Sequence, residues 1–114
     1  MYYVSKRMEI AACHKLNLSY ESKCANLHGH NWIITVYCKS PKLNENGMVV
    51  DFTLIKKLIT DKFDHKYINE IPPFDKVNPT AEHMAEYIVK TIPQCYKVEV
   101  QESEGNIATY ECDE

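Results

Sequence analysis

The densest chemistry in the chain lies in one short run, Cys24-Ala25-Asn26-Leu27-His28-Gly29-His30-Asn31-Trp32. In an extended segment His28 and His30 project to the same side, and two imidazoles on one face can grip a metal ion. His14, at the end of a strand expected to pair with this one, is the natural third donor. Three neutral imidazoles favour zinc and leave one coordination position open, which is the catalytic rather than the structural type of site. Each histidine alone reads as an ordinary hydrogen-bonded side chain; the set reads as a metal site. Cys24 stands four residues before His28. A cation nearby promotes its thiolate, which can act as a base; read alone, it is a small buried hydrophobe.

Three further places carry reactive groups. Asp64-His65 has the types of a proton-transfer pair, although neighbours in sequence need not touch. Glu102 extends the strand face of Tyr96, Val98 and Val100, an expensive position for a carboxylate without a partner. It meets either a cation, or a ligand with paired N–H donors, or water at a frayed strand end. Thr80 and Glu82 sit at a helix start, where a hydroxyl and an acid are common for capping reasons. His83 reads as a surface histidine outside the metal set.

The elements that position these groups follow from periodicity. Tyr3 to His14 reads as a strand with Met8, Ile10, Ala12 and His14 on one face. Lys15 to Leu27 is polar and irregular, a long loop of the kind that is often functional. His28 to Lys39 is a second strand, rich in β-formers. Asp51 caps a helix whose stripe is Leu54, Ile55, Leu58, Ile59 and Phe63, ending near Asp64-His65. Ile71-Pro72-Pro73 breaks the chain. Asn78-Pro79 starts a second helix, Asn78 as cap and Pro79 at the first helical position, with the stripe Met84, Ala85, Ile88, Val89 and Ile92. Tyr96 to Glu102 and Ile107 to Cys112 are two more strands around a Glu104-Gly105-Asn106 turn. The order β-β-α-α-β-β predicts an α+β fold: a four-stranded antiparallel sheet backed by two helices. Its open edges predict self-association.

With 114 residues, the chain suits a single domain, 1–114. A formal net charge of -3 argues against a nucleic-acid surface, which is normally basic. No stretch is apolar enough to span a membrane, and the N-terminus lacks the apolar run of a signal peptide, so a cytoplasmic location is expected. Five cysteines at irregular spacing do not make a disulfide framework. Cys13, Cys38, Cys95 and Cys112 read as fillers of core or surface.

The sequence resembles the 6-pyruvoyltetrahydropterin synthase family. Within it, the resemblance is to the branch of 6-carboxy-5,6,7,8-tetrahydropterin synthases of queuosine biosynthesis. It rests on Ala11-Ala12-Cys13-His14-Lys15-Leu16, Cys24 through His30, Gly47-Met48-Val49-Val50-Asp51-Phe52, Phe63 through Asn69, Asn78-Pro79-Thr80-Ala81-Glu82, and Val98 through Ser103. The resemblance implies the tunnelling fold, assembled as trimeric barrels that stack into a hexamer with active sites between subunits. It implies zinc on His14, His28 and His30, and Cys24 as base, relayed through Asp64 and His65. Glu102 would anchor a pterin ring, with Thr80 and Glu82 near the pterin pocket. Three residues separate Cys24 from His28-Gly29-His30, the spacing of the queuosine branch; biopterin-forming members usually have five. The segment Ile10-Ala11-Ala12-Cys13-His14 departs from the family's usual pattern before its first histidine. The implied reaction converts 7,8-dihydroneopterin triphosphate to 6-carboxytetrahydropterin, acetaldehyde and triphosphate. The alternatives are 6-pyruvoyltetrahydropterin formation, an aldolase-like cleavage of dihydroneopterin, and a non-catalytic zinc- or pterin-binding module.

Overall fold

A computed structural model describes residues 1–113. Two long strands, β1 (Tyr2–His14) and β2 (His28–Ser40), pair antiparallel along their whole length. Helix α1 (Phe52–Phe63) follows, then a two-residue strand β3 (Lys66–Tyr67), helix α2 (Ala81–Thr91), and the hairpin β4 (Cys95–Ser103) and β5 (Asn106–Glu111). The sheet order is β3-β1-β2-β4-β5. All pairings are antiparallel except β1 with β3.

Alternation sorts the sheet into two faces. Met8, Ile10 and Ala12 of β1, Trp32, Ile34, Val36 and Cys38 of β2, and Val98 and Val100 of β4 are buried beneath the helices. Helix α1 brings Ile55, Ile59 and Phe63 to that face, and α2 brings Ala81, Met84, Ala85, Ile88 and Val89. The α2 stripe is the one expected from periodicity, whereas the α1 stripe is narrower than expected: Leu54 and Leu58 face away from the core and are exposed. The Asp51 side chain accepts from the Thr53 amide at 2.8 Å, capping α1 as its position predicts.

The expectation of four antiparallel strands needs correcting, because the sheet has five and is mixed. Strand β3 spans two residues, too short to leave a period in sequence. His65 makes it by adopting a left-handed backbone, φ 58°, and donating its amide to the Ala11 carbonyl at 2.6 Å. The start of α2 also differs: the cap is Thr80, whose Oγ1 accepts from the His83 amide at 3.1 Å, and the helix begins at Ala81. Asn78 does not cap, because its side-chain amide is bonded to the backbone of Asn17 instead.

Beyond β3, the outer edge of β1 from Tyr2 to Ile10 has no partner strand among the described residues, and neither has the outer edge of β5. Among the described residues no helix is long and apolar enough to cross a membrane.

Candidate metal centre and the groups around it

The β1–β2 register places His14 directly opposite His28, and Ala12 opposite His30. All three histidines therefore share the helix-side face, at the end of the ladder where the long loop leaves the sheet. Their donor atoms lie within 4.8 Å of one another. Ala12, small and facing His30, leaves room for the imidazoles between the strands.

The rings are aimed by backbone carbonyls. The His14 Nδ1 pairs with the Pro79 carbonyl at 2.8 Å, and the His28 Nδ1 with the Asn26 carbonyl at 2.6 Å. A carbonyl only accepts, so each Nδ1 carries the proton and each Nε2 is left with a lone pair. A carbonyl behind the ring is the usual support of a metal-ligating histidine. Residue type gives no hint of these partners, since every residue has a carbonyl.

The cluster fits a metal on two counts. The Nε2 atoms of His14 and His30 are buried and have no hydrogen-bond partner, an expensive condition unless something else occupies the lone pairs. Burial also lowers the pKa of both imidazoles, the main cause in each case; Glu102 opposes the shift and His28 adds to it. Neutral imidazole is the form that binds metal. Trp32 supports the site from below. It is fully buried, donates Nε1 to the Ala12 carbonyl at 3.1 Å, and meets His14 and His30 edge-on at 4.9 and 5.2 Å between ring centres.

Glu102 faces this cluster. Its carboxylate lies 3.4 Å from the His30 Nε2 and 3.9 Å from the His14 Nε2, and its side chain is 26% exposed. The apolar face predicted for it holds, since Val98 and Val100 are buried. Its aim has a second cause. The β4–β5 ladder pairs Gln101 with Ile107 and Ser103 with Asn106, so Glu102 is the extra residue of a β-bulge. Bulges commonly redirect a side chain beside a site. On its other side Glu102 lines a polar cleft of about 320 Å³ with Glu82, Asn106 and Ile107. The carboxylate thus stands between the imidazoles and a cleft large enough for a small ligand. Thr80 caps α2 and Glu82 lies in its first turn. His83 bonds the Asn78 carbonyl through Nδ1 at 2.6 Å and takes no part in the metal set.

Cys24 is half-buried, in a short 3-10 turn, Lys23–Ala25, capped by Ser22. Asp64 and His65 are placed elsewhere. Asp64 Oδ1 accepts from the Ala11 amide at 2.9 Å, and its Oδ2 lies 3.8 Å from the His65 Nε2. The His65 ring is 82% exposed and borders an open hollow of about 600 Å³ with Cys13, Gly29, His30 and Tyr67. Among the described residues no hydrogen bond or ion pair joins Cys24 to Asp64 or His65. Asp64 and His65 thus lie side by side without a hydrogen bond between their side chains.

Comparison with known proteins identifies the family. Residues 3–113 match the family model described as 6-pyruvoyl tetrahydropterin synthase. A 6-carboxy-5,6,7,8-tetrahydropterin synthase of Synechocystis sp. is 32% identical, over 96% of this chain and 93% of its own. A 6-pyruvoyl tetrahydrobiopterin synthase of Drosophila melanogaster is 28% identical, over 95% and 78% respectively. The solved Caenorhabditis elegans 6-pyruvoyl tetrahydropterin synthase superposes with a TM-score of 0.77 at 28% identity, covering 98% of this chain and 96% of that one. Fold and histidine cluster together define a tetrahydropterin-synthase-like protein. The chain belongs to the 6-pyruvoyl tetrahydropterin synthase family.

Proposed function

We propose that the chain is a zinc-dependent lyase that converts 7,8-dihydroneopterin triphosphate and one water to 6-carboxy-5,6,7,8-tetrahydropterin, acetaldehyde and triphosphate, a step of queuosine biosynthesis. The observation that carries this reading is the convergence of His14, His28 and His30, two of them with buried, unpartnered Nε2 atoms, beside Glu102. His14, His28 and His30 would hold the zinc, which when bound supplies Lewis acidity toward the substrate's side-chain oxygens.

The chain's own groups divide the remaining work. The Glu102 carboxylate accepts two N–H bonds from the 2-amino-pyrimidinone edge of the pterin, which fixes the ring and its side chain. Glu82 borders that cleft, and Thr80 caps the helix that carries it. The Cys24 Sγ takes and returns protons at the substrate side chain. His65, oriented by Asp64, exchanges those protons with solvent. Because no hydrogen bond or ion pair joins Asp64 or His65 to Cys24 among the described residues, the relay is completed between copies. The unpaired edges of β1 and β5 support such self-association, as a trimer or a hexamer built from two trimers. The proposed location is the cytoplasm.

The spacing from Cys24 to His28 favours the carboxy-forming reaction. A second reading, elimination to 6-pyruvoyltetrahydropterin, has support from relatives of that name at comparable identity. One experiment separates them: zinc-loaded protein is incubated with 7,8-dihydroneopterin triphosphate and its products are identified by mass spectrometry. Acetaldehyde with 6-carboxytetrahydropterin supports the first reading; triphosphate release with 6-pyruvoyltetrahydropterin supports the second. Substrate recovered unchanged rejects both.

A further inference from the structure

The loop that carries Cys24 is long, yet it is stitched to the fold at three consecutive residues. Lys15 donates its amide to the Asn69 Oδ1 at 2.9 Å, and its carbonyl accepts from the Asn69 Nδ2 at 2.9 Å. Asn17 does the same with Asn78, amide to Oδ1 at 2.8 Å and carbonyl from Nδ2 at 2.9 Å. Leu16, between them, donates its amide to the Cys24 carbonyl at 2.9 Å.

This pattern is that of a strand with two edges. In a strand the backbone groups of residues i and i+2 point one way and those of i+1 the other. Here one edge of Lys15-Leu16-Asn17 is occupied by two side-chain amides standing in for a neighbouring strand. The other edge holds the turn of Cys24. A primary amide is the side-chain group that can donate and accept at once in this way; a carboxylate cannot donate and an ammonium cannot accept. Asn69 and Asn78 come from separate segments, so the two clamps are independent. Asn78 also neighbours Pro79, whose carbonyl orients His14, and its own carbonyl is bonded by His83. The clamp and the metal site therefore share one short segment of chain.

We infer that Asn69 and Asn78 are positioning residues for the Cys24 thiol, acting through the backbone of Lys15-Leu16-Asn17. The inference rests on the proposed function for its catalytic consequence, but its geometric content does not.

Asn69→Ala and Asn78→Ala, made singly in the full zinc-loaded chain, test it with two measurements. The rate at which iodoacetamide modifies Cys24, followed on the Cys24 peptide, should rise about threefold or more in each variant, because the loop opens locally. With 7,8-dihydroneopterin triphosphate, kcat should fall about tenfold or more while KM and bound zinc stay within about twofold of the parent. Asn78→Asp, which keeps the acceptor for the Asn17 amide and loses the donor, should fall between parent and Asn78→Ala in both and serves if the alanine variant does not fold. Unchanged Cys24 modification in both single variants overturns the clamp. Unchanged kcat, or kcat lost only together with zinc, overturns the positioning role. Absence of turnover in the parent chain rejects the proposed function instead, full activity in Cys24→Ala removes the thiol from it, and either result leaves the modification rate to decide the clamp by itself.

Discussion

His14 gives its Nδ1 proton to the Pro79 carbonyl, 65 residues away in sequence, at 2.8 Å. That single bond ties the end of β1 to the segment leading into α2. It fixes the tautomer of a fully buried imidazole, 0% exposed, and turns its Nε2 toward His28 and His30.

A first prediction concerns the ligands themselves. Replacing His14, His28 or His30 by Ala should weaken zinc binding by about 100-fold or more. That is the upper end, or beyond, of what losing an outer partner costs. Metal analysis after gel filtration checks it. Zinc retained at parental stoichiometry in His28→Ala would remove that residue from the set.

The metal-free protein should be acid-sensitive. Burial lowers the pKa of His14 and His30 in the folded chain, whereas in the unfolded chain they titrate near the ordinary value of about 6.5. Below that value the unfolded state binds more protons than the folded one, so stability is full above it and declines as the pH drops through it. Urea unfolding of chelator-treated protein from pH 8 to pH 5 measures the slope. A flat profile across that range contradicts it.

Cys24→Ala should reduce kcat by about 100- to 10,000-fold, the range for removing a general base, with zinc content near normal. Steady-state kinetics beside metal analysis separates the two. Activity within a few fold of the parent takes the thiol out of the chemistry.

Glu102→Gln keeps the shape of the side chain and removes its charge. Charge-assisted hydrogen bonds are about twice as strong as neutral ones, so KM for the pterin should rise about tenfold or more. Isothermal titration with a pterin that lacks the triphosphate gives the same answer without turnover. Equal affinity for parent and variant would move the ring away from Glu102.

Packing makes an independent prediction. Ile59 is 1% exposed at the middle of the α1 stripe. Ile59→Ala should cost about 2–5 kcal/mol, read from urea midpoints at constant slope. Loss below about 1 kcal/mol would mean that α1 is not seated on the sheet as described.

Much of the site was legible in sequence because its logic is local. His28 and His30 share a face through strand alternation, and Glu102 was marked by sitting on the apolar face of Val98 and Val100. The helix stripes carried their own period. Other features depend on partners far away in the chain. Strand β3 is two residues long and exists because Ala11 offers a carbonyl to His65. Asn78 has the ideal type for a helix cap, and Thr80 won that place because the Asn78 amide is spent on Asn17. The bulge at Glu102 reflects a pairing mismatch between two strands, which neither strand shows alone. That Cys24 forms no hydrogen bond with Asp64 or His65 was likewise invisible, since spacing says nothing of which side chains meet.

Trp32 has a practical consequence. It is the only tryptophan in the chain, and its indole packs edge-on against two of the three imidazoles. Intrinsic fluorescence therefore comes with a label already in place, within ring contact of the histidine cluster and shielded from solvent. Titrating zinc into chelator-treated protein should change the intensity of that emission in step with occupancy, so loading can be followed optically on the unmodified chain.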